Sequence, residues 1–168
     1  MKDHRGVSLV ELIVVLAIMG VLAGAGVSLF GTLTGAKLNE ASDKITAALG
    51  RTRTEALSRS DAEFTLYQNA NGKYYVDIYY SGNTGGTTIT EEVGASQLSM
   101  SYSNSDGTTT VISGTNQLKI QFDRSTGAIK SAYESNGSSI YTKNIVISAG
   151  TRTKTITLYT LTGKYSVQ

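Results

Sequence analysis

Between Val7 and Phe30 the chain holds one ionisable side chain, Glu11, inside the run V-S-L-V-E-L-I-V-V-L-A-I-M-G-V-L-A. A lone carboxylate there has one chemistry open to it, charge pairing in a medium of low dielectric. A cut between Gly6 and Val7 would remove the polar leader Met1 to Gly6 and leave Val7 with a free, positively charged amine. Glu11 would then stand one helical turn away, about 6 Å along the axis. In helices packed side by side with an axial offset, the glutamate of one faces the terminal amine of the next. That pair is missing from an isolated helix, so it would favour correct register and assembly.

The element that must carry Glu11 is a helix. Residues 7–30 would rise about 36 Å, enough to cross a hydrocarbon core of about 30 Å. Lys2 and Arg5 precede the run, which puts the amino end in the cytoplasm and the rest of the chain outside. Two blander readings stay open at this point. One is a secretory signal with Ala23-Gly24-Ala25 as a small-residue cleavage site, and the other is a plain membrane anchor. Both leave the cost of Glu11 without a purpose: a charge at mid-helix depth costs about 2.5–3.5 kcal/mol on insertion scales, and less near the end.

The stretch G-V-S-L-V-E-L at residues 6–12, with its charged leader and long apolar sequel, resembles the class III prepilin signal of type IV pilins and type II secretion pseudopilins. The resemblance implies that a prepilin peptidase cuts after Gly6 and that Val7 becomes the N-methylated first residue. It further implies that Glu11, at the fifth mature position, guides docking into a helical filament. The implied partners are other pilin or pseudopilin subunits, the peptidase and an inner-membrane assembly platform. The implied location is the bacterial cytoplasmic membrane, entered by one N-terminal helix, and then an extracytoplasmic filament or the cell surface. The usual first mature residue of the family is phenylalanine, where this chain has Val7.

Beyond Phe30 the pattern predicts that the helix continues. Leu38, Ala41, Ile45, Ala48, Leu49, Thr52 and Ala56 recur at spacings of three or four, a small-residue stripe on an otherwise polar helix. Glu40 with Lys44, and Glu55 with Arg51 and Arg59, stand at i,i+4 distance. Gly20, Gly24, Gly26 and Gly31 each cost roughly 1 kcal/mol relative to alanine in such a helix. They suit close packing in a membrane. The alternative is a segment around Gly20 to Gly26 that unwinds in a filament, as the resemblance implies for several members of the family.

From about Asp61 the period becomes strand-like. Phe64 to Tyr67 and Lys73 to Tyr80 read as a hairpin around Asn69 to Gly72. Further strands are expected at 87–93, 97–102, 108–112, 118–122, 128–133, 140–147 and 153–158, with turns at Asn104 to Gly107, Ser125 to Gly127, Ser135 to Gly137 and Thr162-Gly163. Ser81 to Gly86 reads as a loose loop. The expected class is therefore α+β, a long helix packed on an antiparallel sheet. Its segments are a leader at 1–6, a membrane-spanning or filament-core helix at 7–30, an amphipathic continuation at 31–60 and a β-rich domain at 61–168. Leu118 to Gly127, Ile145 to Ser148 and Leu161 to Tyr165, together with Arg51 to Ala56, are similar to H-type minor pseudopilins and the related FimT pilins. Those carry a strand, Phe, short turn and Gly, and a late Gly before a last strand.

Composition narrows the function. With 15 Lys+Arg against 13 Asp+Glu there is no global case for a nucleic-acid binder. No cysteine is present and the one histidine, His4, precedes the apolar run, so disulfides and thiolate metal sites are excluded and the commonest general base is missing after the leader. An enzyme, a cofactor and a metal are not expected. Asp106 and Asp123 are explained by Asx turns rather than by calcium. The charge layout is lopsided: residues 81–118 hold only Glu91, Glu92 and Asp106, whereas residues 141–168 hold Lys143, Arg152, Lys154 and Lys164 and no acid. A basic sheet edge that deters strand pairing accounts for this. The functional alternative is DNA capture by those four cations, as the resemblance implies for some FimT-like pilins; it is open but not favoured. The ten tyrosines fill strand faces, or stack on bases or glycans.

Overall fold

The computed structural model describes residues 8–58, 61–82, 85–130, 133–135 and 138–168. The chain divides into two compact units, Met1–Gly35 and Ala36–Gln168. The expected leader and Val7 lie outside the described residues, as does Arg59.

One helix, α1 (Leu9–Ser58), passes through both units. It begins two residues later than the pattern suggested, because Ser8 caps it: the Leu12 amide donates to the Ser8 carbonyl oxygen at 3.2 Å and the Glu11 amide to Ser8 Oγ at 3.2 Å. In the first unit it stays α-helical across Gly20, Gly24, Gly26 and Gly31. Its apolar side chains there are exposed all round, Leu9 at 75% and Leu22 at 65%. Among the described residues no helix is long and apolar enough to cross a membrane. The apolar part of α1 with described side chains, Leu9 to Gly24, rises about 22 Å against a hydrocarbon core of about 30 Å.

In the second unit the expected stripe faces the core, and all seven of its residues, Leu38 to Ala56, are buried. Small side chains let the helix lie close to the sheets. Two hydrogen bonds fix its height: Lys44 Nζ, already paired with Glu40 at 2.9 Å, donates to the Glu92 carbonyl oxygen at 3.1 Å, and Arg53 Nε donates to the Gly127 carbonyl oxygen at 3.1 Å.

The first sheet contains β1 (Ala62–Gln68), β2 (Tyr74–Gly82), β3 (Gly85–Gly94) and β6 (Leu118–Gln121), in the order β3-β2-β1-β6. The second contains β4 (Ser99–Asn104), β5 (Thr109–Val111), β9 (Thr142–Ala149), β10 (Arg152–Tyr159) and β11 (Lys164–Val167), in the order β11-β10-β9-β4-β5. A separate hairpin pairs β7 (Tyr133–Ser135) with β8 (Ser138–Ile140). Every pairing is antiparallel. Alternation puts one face of each sheet into the core. Phe64 lies between Ile78 and Ile120, and Ile145 between Tyr102 and Ile156.

Two sequence expectations need correcting. Where it is described, the loop expected at Ser81 to Gly86 is strand: Ser81 pairs with Gly86 and Gly82 with Gly85, while residues 83 and 84 lie outside the described residues. The glycines there present no side chains to separate the strands, and Gly85 adopts φ +128°. The strand expected at 128–133 is replaced by a bridge between Ile129 and Phe122, where the turn at Asp123 brings the chain back on β6, and by Tyr133, the first residue of β7. Residues 131 and 132 lie outside the described residues.

Candidate functional site

The first turn of α1 carries the residue singled out for assembly. Ser8, Leu9, Val10 and Glu11 have the S-x-x-E spacing of a capping box, and the half of the box made by the Ser8 hydroxyl is present. The backbone of Glu11 makes that bond, while its carboxylate makes no hydrogen bond or ion pair among the described residues. An acid in the first turn also meets the positive end of the helix dipole. Glu11 is exposed, and so are the apolar residues that follow it as far as Leu22. Gly20 and Gly24 have nothing within 4 Å of where a Cβ would stand, so no contact among the described residues demands their small size. Gly6 and Val7, the expected cleavage and methylation residues, lie outside the described residues.

The four cations of the acid-free carboxyl end fall in two places. Lys164 pairs with Tyr159 at one end of β10, while Lys154 pairs with Ile147 and Arg152 with Ala149 toward the other end. Five residues of strand, about 17 Å, separate Lys154 from Tyr159. Lys143 and Lys164 meet across a groove of about 620 Å³ lined also by Tyr141, Tyr159, Leu161 and Tyr165. No acid lines this groove. Leu161 at its rim is 88% exposed.

The turn carboxylates are occupied by their own loops. Asp106 Oδ1 accepts from the Thr108 amide at 2.9 Å and its hydroxyl at 2.7 Å. Asp123 Oδ1 accepts from the Ser125 hydroxyl at 2.6 Å, the Thr126 hydroxyl at 2.9 Å and both amides at 3.0 Å. These bonds, the Ser125 hydroxyl first, pull the Asp123 carboxyl down to about 2 from its ordinary 3.8. Among the described residues no three His, Cys, Asp or Glu side chains are grouped to hold a metal.

A second constellation gathers three segments far apart in sequence. The Gly127 carbonyl accepts from Arg53 on the helix, and Gly163, in the β10–β11 turn, lies so close that a Cβ on it would collide with the Gly127 oxygen and reach 2.9 Å from Arg53 Nε. Both glycines have φ above +60°. The Arg-bearing helix end, the Phe-turn-Gly element and the late Gly are thus one joint, in which the helix is latched to both sheets. The sequence grouped these pieces only as part of a resemblance and gave Arg53 no contact. The signal for the cap, by contrast, was present in S-x-x-E.

A comparison with family models matches residues 1–27 to the prokaryotic N-terminal methylation motif. No curated protein and no solved structure matches the chain significantly. The residues around Gly6, Val7 and Glu11 therefore carry the N-terminal methylation motif that is the signal of type IV pilins and pseudopilins.

Proposed function

We propose that this chain is a structural subunit, a pilin or pseudopilin of minor type, of a type IV pilus-like or type II secretion filament. A prepilin peptidase cuts after Gly6 and Val7 is N-methylated. Residues 7–30 then hold the subunit in the cytoplasmic membrane until neighbouring helices replace lipid in an extracytoplasmic filament. The observation that carries this reading is the methylation motif over residues 1–27. Support comes from the exposed apolar surface of α1, which needs lipid or neighbouring helices as cover, and from the free carboxylate of Glu11 in the first turn. The joint of Arg53, Gly127 and Gly163 supports the H-type, FimT-like subgroup, since it unites three of the four segments on which that likeness rests. The test is production alongside a prepilin peptidase and its assembly machinery, followed by shearing. Recovery of the chain in sheared filaments is expected, and a chain found only in the membrane fraction contradicts the reading.

A second reading, capture of DNA, is favoured by the acid-free groove in which Lys143 and Lys164 stand beside tyrosines. With cations separated into two pairs, few phosphates are neutralised at once, and binding would be weak, salt-sensitive and indifferent to sequence. Binding in the micromolar range at near-physiological salt, lost on Lys143→Ala with Lys164→Ala or on Arg152→Ala with Lys154→Ala, would make it the leading function.

A further inference from the structure

The β domain carries two surfaces of opposite sign at opposite ends of one hydrogen-bonded series. β3 is the outer strand of the first sheet. Beyond it the order runs β2, β1, β6, then Ala128 to Lys130 folded back on β6, and finally Thr160, whose carbonyl accepts from the Ile129 amide at 2.8 Å. Five strand spacings of ~4.8 Å put β3 about 24 Å from the β10–β11 turn.

At the far end, β3 exposes an edge whose outward N–H and C=O groups have no strand partner among the described residues. From Gly85 to Thr90 the strand is uncharged, free of proline and rich in threonine, so it lacks the lysines and prolines that usually protect an edge. Beyond it Glu91 is exposed, placed opposite Val76 and without an ion pair among the described residues, and at Glu92 the helix reaches the strand through Lys44, which donates to the carbonyl. The Glu92 carboxylate is already taken, by Lys73 at 2.9 Å and the Tyr75 hydroxyl at 3.2 Å. A carboxylate on an otherwise open edge would be desolvated without a partner against an uncharged strand, whereas a cationic partner offsets that cost. The groove by the β10–β11 turn is such a partner. Lys143 and Lys164 make no ion pair among the described residues, and tyrosine and threonine hydroxyls around them can bond a strand's free peptide groups.

We propose that these two surfaces dock on one another between neighbouring copies, the β3 edge of one subunit entering the Lys143–Lys164 groove of the next. Because the surfaces differ and lie at opposite ends of the domain, the contact is heterologous. It does not close on itself as a two-fold contact would, and repeated it yields an open array. This rests on the filament reading, for which the methylation motif implies assembly with other pilin subunits. It adds a lateral contact, remote in sequence from the N-terminal helix, that sets which subunits can be neighbours.

The chain has no cysteine, which makes crosslinking clean. The double variant Glu91→Cys, Lys164→Cys, assembled into filaments and treated with a short bis-maleimide, is expected to give a ladder of linked subunits, while each single variant stays monomeric. Glu91→Lys and Lys164→Glu are each expected to lower incorporation by roughly threefold to tenfold, and their combination to restore it. Where the cysteines themselves weaken assembly, the charge exchange decides. Filaments that assemble without a ladder and tolerate each reversal overturn the docking while leaving the filament reading intact, and so does a groove found instead to be occupied by DNA. A wild-type chain that is cut at Gly6 and enters no filament removes both.

Discussion

The amide of Glu11 donates to Ser8 Oγ at 3.2 Å. This bond divides the labour within the first turn of α1, since the serine side chain caps the helix and the glutamate side chain stays available to a neighbour. Ser8→Ala should therefore fray the first turn, at a cost of about 1 kcal/mol, seen as faster amide exchange at Leu9 to Glu11 in detergent. Glu11→Val keeps the capping bond, because a backbone amide makes it. Its membrane insertion should match or exceed that of the wild type, since the carboxylate no longer has to be desolvated, while its recovery in sheared filaments falls. Normal recovery of Glu11→Val would remove the side chain from the account.

The joint of Arg53, Gly127 and Gly163 gives a contrast between two glycines with nearly the same backbone. Gly150 and Gly163 have φ +63° and +62°, but a Cβ on Gly150 meets nothing within 4 Å, whereas one on Gly163 collides with Gly127. Gly150→Ala should cost only the left-handed strain of about 1–2 kcal/mol. Gly163→Ala adds overpacking and should cost roughly 2–5 kcal/mol. Thermal unfolding of the full chain in detergent measures both, and equal losses would contradict the packing described.

Acid should loosen the Asp123 turn in a defined window. The folded carboxyl titrates near 2 against an ordinary 3.8, so the folded state favours the ionised form. The stabilisation is complete above about pH 4 and fades as the pH falls through about 2. Asp123→Ala should be less stable than the wild type at pH 6, and the gap should narrow toward pH 2. Unfolding midpoints taken across that range check it, and a gap that widens with acid would have the wrong sign.

Much of the fold was legible because it repeats. The stripe from Leu38 to Ala56 repeats at helical spacing, and alternation in Phe64 to Tyr80 located β1 and β2. What stayed hidden depended on contacts with no local period. β8 and β11 are strands of three and four residues in local hairpins, too short to show a clear alternation, and the glycines at 82, 85 and 86 suggested looseness where they permit pairing. Arg53 is one polar residue among several on its helix, and only the approach of Gly127 and Gly163 gives it a role. The candidate site divides in the same way: Glu11 stood out as the lone charge in an apolar run, whereas the grouping of Lys143 with Lys164, and their separation from Arg152 and Lys154, follows from strand register.

The central claim is that the chain is processed after Gly6 and made a filament subunit through the terminus that the cut exposes. Intact-mass measurement of the protein produced with a prepilin peptidase tests this most directly. The account predicts a mature chain that begins at Val7 and carries one added methyl group, and a Gly6 variant with a bulky side chain that keeps its leader. A mature chain that begins after Ala25, as a secretory signal would leave it, or one that retains Met1 to Gly6 in the presence of active peptidase, would contradict it.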